Sequence, residues 1–266
     1  MIDNYMYFEY SKNDNSPIVC NVPHSGREIP KDFINDFVLP KEELDFEVSY
    51  MADNYTDALY GELLSISSFI KSTISRIVVD IERFENEEDE PMSKVGMSAF
   101  YARTSRGAVL RNTDEDKREA LKKIYEEYHN TFTDLVESSL VKHDKAIIVD
   151  CHSFPSVSRK YEPDQGENRP DICIGSDEYH TPVDLVSILK SNFEELGYSV
   201  KINSPFTGTI IPLKYYQKDE RVISVMIEVN RKLYMNEETF QKLKNFSEVG
   251  KSISRCVIKS LNQFVK

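Results

Sequence analysis

Short runs rich in Ile and Val alternate along this chain with longer segments of helical period, and that alternation limits the fold more than any other feature. Several of the runs are apolar at every position, so both faces of each must be covered. Such runs predict strands of a largely parallel sheet with helices above and below it. Strands are expected at 17–22 (PIVCNV), 67–72 (SSFIKS), 75–80 (SRIVVD), 145–151 (KAIIVDC), 171–176 (DICIGS), 198–202 (YSVKI) and 222–229 (VISVMIEV). Helices are expected at about 41–64, 114–140, 183–196 and 237–264. In 114–140, Leu121, Tyr125, Tyr128, Phe132, Leu135 and Val136 recur at spacings of three and four, behind Thr113 as N-cap and an acidic first turn. The region from 82 to about 112, opened by the acidic stretch 82–90 (ERFENEEDE), and the polar stretch 154–170 read as long loops, which in compact α/β domains are solvated connections or walls of an active site. No repeat or low-complexity tract divides the chain. The expectation is one α/β domain over 1–266, three-layered, with a mixed, largely parallel central sheet flanked by helices.

Charge narrows the partners. With 33 Lys and Arg against 45 Asp and Glu, the net charge is −12. A nucleic-acid binder needs clustered cations to neutralise phosphates, so that class is excluded. No run of about 18 apolar residues is present, so no membrane partner is expected. The N-terminal stretch is polar and acidic, unlike a secretory signal, and a cytoplasmic location is expected. The cysteines Cys20, Cys151, Cys173 and Cys256 form no CxxC pair and read as free structural thiols.

Polar groups gather where strands are expected to end. His24 follows the first run (IVCNVPHSG), His152 ends another (AIIVDCHS), and Glu228 with Asn230 ends a third (VISVMIEVNR). Open α/β sheets bind ligands beyond the carboxyl ends of their strands. Strand alternation puts Asp150 and His152 on one face, and likewise Glu228 and Asn230. A carboxylate such as Glu228 in an otherwise apolar strand is costly unless paired, hydrated or bound to metal. Two histidines from separate strands plus one carboxylate make a catalytic zinc site that leaves a position for water. Asp53 and Glu28 both qualify as the third ligand, and no HExxH pattern decides between them. The alternative is plain scaffolding: hydrogen-bonded histidines, Asp150 capping a loop, and Glu228 paired with Arg231 or Arg83.

Nine segments, in the same order along nearly the whole chain, resemble the N-formylglutamate amidohydrolase family, among the zinc carboxypeptidase-like hydrolases. They are VPHSGREIP (22–30), MADNYTDALY (51–60), SRIVVDIER (75–83), RTSRG (103–107), EEYHNTF (126–132), DCHS (150–153), RPDICIGS (169–176), SPFTGTII (204–211) and IEVNRKLYM (227–235). The resemblance implies hydrolysis of an N-acyl amide, with Zn2+ or another divalent metal as cofactor and a small N-acyl amino acid such as N-formyl-L-glutamate as substrate. It implies His24 and His152 as metal ligands, with Asp53 preferred over Glu28 as the third, and Glu228 as general base. Arg83, Arg103, Arg106, Asn230 and Arg231 match positions that hold substrate carboxylates. Asp150 is expected to orient a metal-bound imidazole, and His129 either to support the site or to pack. His143 and His180 are expected at the surface. The segment 204–211 is expected to be a loop over the substrate or an ordinary turn.

One departure bears on substrate. Where the family commonly shows Asp-x-Asn-Arg, this chain has DIER, with Glu82 in place of Asn. A carboxylate there disfavours a dicarboxylate substrate. A peptidase or deacylase acting on another carboxylate-bearing amide, or a family member that only binds a ligand, are the alternatives.

Overall fold

The computed structural model describes residues 2–4, 7–112, 115–162 and 164–265, with backbone alone at 2–4 and 115. One sheet of eight strands runs through it: β1 (Ile2–Asn4), β2 (Phe8–Ser11), β3 (Ile18–Val22), β4 (Ser68–Ser72), β5 (Ala146–Phe154), β6 (Ile172–Gly175), β7 (Val200–Ile202) and β8 (Val222–Asn230), in the order β1-β2-β4-β3-β5-β8-β6-β7. The four central strands β4, β3, β5 and β8 are mutually parallel. Antiparallel neighbours, β2 and β6, flank them on either side. All nine residues of β5 are buried, as a strand covered on both faces requires.

Helices supply that cover. Leu121, Ile124, Tyr128 and Phe132 of α4 (Glu115–His143) and Leu44, Val48 and Met51 of α1 (Lys41–Met51) pack on the face carrying Val19, Ile70 and Ile148. The opposite face, with Cys20, Val149 and Ile227, is covered by the short helices α2 (Thr56–Leu59) and α3 (Gly61–Leu64), by α5 (Val183–Glu195) and by α6 (Phe246–Phe264). In α6 the buried residues Val249, Ile253, Cys256, Val257 and Leu261 keep the three-and-four spacing of a one-sided apolar stripe. Among the described residues, no helix is long and apolar enough to cross a membrane. The expected α/β class, with its mixed and mostly parallel sheet, is the one observed.

Several elements differ from expectation. The run 75–80 is a turn, not a strand: Val78 N–H bonds the Ser75 carbonyl and Asp80 N–H bonds the Ala99 carbonyl, while Ile77, Val78 and Val79 still fill the core. Periodicity alone cannot separate such a buried turn from a strand. The polar residues near the N-terminus form β1 and β2, an edge whose composition hid it. The helix expected at 41–64 breaks at Ala52–Tyr55, where the Asn54 amide donates to the Ser49 and Ala52 carbonyls and Tyr55 turns to φ +69°. Residues 237–245 are not helical. They lie around a small hairpin, β9 (Met235–Asn236) with β10 (Gln241–Lys242), turned by the Asn236 side chain accepting from Glu238 and Thr239 N–H. The N-cap proposed at Thr113, with Asp114, falls outside the described residues. All four cysteines are free and buried.

Candidate metal centre

Register places the central polar groups. β5 and β8 pair with His152 beside Glu228, and β3 and β5 pair with Asn21 beside Asp150, so these four side chains share one face near the carboxyl ends of parallel strands. His24 follows β3 by two residues. Its carbonyl accepts from Asp53 N–H (2.9 Å), which brings the break after α1 up to the sheet. Gly26 lets this turn pass the Thr73 and Ile74 backbone, since a Cβ there would lie 2.4 Å from the Ile74 oxygen.

His24, Asp53 and His152 are 2%, 2% and 4% exposed, and each offers a ligand atom within 4.8 Å of the others. The two rings lie 5.2 Å apart. Asp53 Oδ2 is 3.1 Å from His152 Nδ1 and 3.8 Å from His24 Nδ1. Two buried atoms here have no partner among the described residues, His24 Nδ1 and Glu228 Oε2. An orphaned imidazole nitrogen beside a second imidazole and a carboxylate is the donor set of a three-ligand divalent site, and the residues fit such an ion. A second group, Glu82, Asp150 and His152, could also hold a cation. There Asp150 Oδ1 already accepts from the Asn21 amide at 2.9 Å and faces His152 Nε2 at 3.0 Å, so the first group is the better match.

Each imidazole is oriented by an acid behind it. Asp80, fully buried, accepts from His24 Nε2 at 2.8 Å through Oδ1, and through Oδ2 from Arg76 (2.7 and 2.9 Å) and the Tyr101 hydroxyl (2.8 Å). Burial works to raise its pKa, but Arg76 and His24 hold it well below the carboxylate range. Asp150 also accepts Ile210 N–H (3.2 Å), which ties segment 204–211 to the site. The Asn21 amide bridges Asp150 and Glu82 while its oxygen accepts the Tyr128 hydroxyl at 2.7 Å.

Glu82 does enter this cluster, its Oε2 2.9 Å from His152 Nε2 and 3.9 Å from His24 Nδ1. Burial and the Asp150 charge raise its pKa. Burial would lower His152, yet Glu82 and Asp150 carry it well above the histidine range. Glu228, chiefly through burial, is pushed up to about 8. Asp53 stands well below its ordinary value, since His152, His24 and Arg231 outweigh burial.

The other nominated residues lie as follows. Glu28 is exposed, its backbone paired with Thr73 and Ile74, and it is outside the cluster. Arg231 is buried and holds Asp53 Oδ1 at 2.7 Å, with Ser153 Oγ at 3.2 Å, so its fork is engaged by a member of the candidate trio. Asn230 is fully buried, donating to the Pro170 carbonyl and accepting Lys232 N–H. Arg83 faces Asp80 (3.6 Å) and Glu90 (4.0 Å). Arg103 and Arg106 are exposed on the turn 103–107, which Glu47 of α1 anchors through Ser105. His129 bonds the Ile81 carbonyl at 2.7 Å, bracing the backbone that carries Glu82. Neither remaining histidine is the surface residue expected: His180 is 1% exposed and bonded at both nitrogens, and His143 is half-buried. Asp80, Arg76, Tyr101, Asn21 and Tyr128 were not nominated from the sequence. The signal for Asp80 was available, because it is an acid ending an apolar run, as Glu228 is.

A profile of the N-formylglutamate amidohydrolase family matches residues 16–235. The chain belongs to this family. As an N-formylglutamate amidohydrolase family member it is a hydrolase, and the family implies amide hydrolysis. The fold is similar to that of the N-formylglutamate amidohydrolase from Ralstonia eutropha JMP134, with a TM-score of 0.84 at 20% identity over 98% of this chain and 99% of that one. It is also similar to the gene product Atu2144 from Agrobacterium tumefaciens, with a TM-score of 0.65 at 18% identity over 94% and 92%. No curated protein sequence matches.

Proposed function

We propose that this chain is a metal-dependent amidohydrolase that removes the N-formyl group, or another N-acyl group, from an acidic amino acid, with N-formyl-L-glutamate the first candidate. The observation that carries this reading is the buried trio His24, Asp53 and His152, with an orphaned His24 Nδ1, beside the unpartnered carboxyl of Glu228. Family membership supports an amide as the bond cleaved. A zinc or other divalent ion at the trio would polarise the scissile carbonyl and acidify a water molecule.

The chain's own groups do the rest. Asp80 and Asp150 hold the rear nitrogens of the two rings as donors, so that an ion displacing the second proton of each ring would meet lone pairs at His24 Nδ1 and His152 Nδ1. Arg231 and Ser153 N–H fix Asp53. Glu228 takes the proton from the attacking water and returns it to the leaving amine. Nearby positive charge lowers its pKa from about 8 and readies it as a base. Four buried, unpaired thiols support a reducing compartment, the cytoplasm, as the place of action.

Glu82 supports a second reading, a peptidase or deacylase on another carboxylate-bearing amide, because its carboxyl adds negative charge to the cluster, which would repel a substrate carboxylate brought close to it. Formate release from N-formyl-L-glutamate, followed before chelation, after it and after metal is restored, tests the first reading. Activity that leaves and returns with the metal is expected. Its absence from metal-loaded protein rejects N-formylglutamate and turns the search to other N-acyl amino acids. Glu228→Gln separates an enzyme from a binder: turnover should fall by orders of magnitude with metal retained.

A further inference from the structure

Arg159 is a buried cation whose guanidinium makes no ion pair with a carboxylate among the described residues. It lies in the segment 154–170 and is 7% exposed. Its hydrogen bonds go to neutral acceptors: the Tyr50 carbonyl from Nη2, and the Met51 sulfur (3.2 Å) and Tyr161 hydroxyl (2.9 Å) from Nη1. Its Nε is buried and unpartnered among the described residues. The carboxylate of Glu162, whose charge acts on Arg159 from nearby, is engaged by Arg169 and by the Arg159 backbone N–H. A thioether is a weak acceptor and an orphaned N–H is costly, so this fork is poorly satisfied for a charge taken out of water. The Tyr50 ring, 4.4 Å from the guanidinium carbon, and the negative end of α1 compensate in part, but neither supplies a counter-charge.

Its position is next to the candidate centre. The Tyr50 carbonyl that takes Arg159 Nη2 also takes Arg231 Nη1 (3.4 Å), and Arg231 holds Asp53. Two other guanidinium groups have a buried, unpartnered N–H: Arg83, partly exposed, faces Asp80 and Glu90, and Arg111 is bonded to the Val78 carbonyl and feels the Asp36 charge as Arg159 feels that of Glu162. The remaining arginines nominated for substrate are exposed or committed to Asp53.

We infer that Arg159 receives a carboxylate of the substrate, the planar fork exchanging its Met51 and Tyr161 contacts for a paired, charge-assisted contact. This rests on the proposed function in taking a carboxylate-bearing ligand, but not on hydrolysis. The nominated groups are exposed or occupied, whereas Arg159 offers a desolvated one that shares the Tyr50 carbonyl with Arg231, the cation that holds Asp53.

The test is calorimetric binding of L-glutamate and glutarate to chelated wild-type protein, Arg159→Met and Arg159→Lys, with N-formyl-L-glutamate kinetics on the metal-loaded forms and urea unfolding of each. Loss of a charge-assisted contact predicts binding weakened by about 10- to 100-fold in Arg159→Met. KM should rise by a similar factor with kcat changed far less, Arg159→Lys should recover part of the loss, and the unfolding midpoint should hold, since Met keeps the apolar stem. Carboxylate binding that needs Arg159 in a protein that releases no formate would sustain this inference and sink N-formylglutamate as substrate. Formate release with KM unchanged in Arg159→Met, or wild-type protein that binds neither carboxylate, would overturn it and leave Arg159 a clamp on the end of α1.

Discussion

Replacing Glu228 with Gln should stabilise the chelated protein in alkali and change it little in acid. The carboxyl, ordinarily near 4.5, is pushed to about 8 in the folded chain, chiefly by burial. The unfolded chain releases this proton near 4.5, whereas the folded chain keeps it until about 8. Across that window the folded state binds more protons, so its stability falls as pH rises and levels off above 8. At about 1.4 kcal/mol per pH unit, the loss between pH 5 and 8.5 is about 4 kcal/mol. Glu228→Gln keeps the volume and removes the slope. Urea unfolding of both chelated proteins at the two pH values measures it, because titrations common to both cancel in the difference. The variant should gain on wild type by about 4 kcal/mol on going to pH 8.5. A gap that does not move with pH would refute the claim that burial keeps Glu228 protonated. With zinc bound the gap should shrink, since a cation beside the carboxylate replaces the proton.

Asp80→Asn should weaken metal binding by about 10- to 100-fold, read by chelator competition, because His24 loses the acid that orients it; an unchanged affinity would remove Asp80 from the centre. Elemental analysis should find metal lost from His24→Ala, His152→Ala and Asp53→Ala and retained by Glu28→Ala, whose carboxylate is exposed and apart. Metal lost from Glu28→Ala and kept by Asp53→Ala would move the third ligand to Glu28. Glu82→Asn should raise kcat/KM for N-formyl-L-glutamate by roughly tenfold, the worth of one like-charge contact in a partly screened site; no change would clear Glu82 of a part in specificity.

Much of the sheet and of the central site was legible because both follow from period-two alternation. Ile147, Val149 and Cys151 point into one core and Asp150 and His152 toward the other face, and the same reasoning isolates Glu228 among Val225, Ile227 and Val229. Alternation says nothing about groups carried on turns. Asp80 and Glu82 sit on a turn whose Ile77, Val78 and Val79 read as a strand, so the two acids nearest the rear of the imidazoles were the hardest to place. The arginines were harder to place for a different cause. Their type announces carboxylate binding, but that Arg231 meets Asp53 is decided by long-range packing, the partners being 178 positions apart in sequence.

The break in the expected helix 41–64 shows why such a centre requires local disorder of period. A continuous helix would carry Asp53 past the sheet on a rigid rod, and its N–H would be bonded inside the helix. Because the Asn54 amide takes two carbonyls at the end of α1, the chain is released for four residues. Asp53 N–H then pairs with the His24 carbonyl and its carboxylate turns between His152, Ser153 N–H and Arg231. The same release frees the Tyr50 carbonyl, which takes both Arg231 and Arg159. One local competition for carbonyls thus sets, within a single turn of chain, the proposed metal ligand Asp53 and the Tyr50 carbonyl that meets both its orienting cation and the proposed substrate cation. A substitution such as Asn54→Leu, which favours continuing the helix, would be felt at all three groups together.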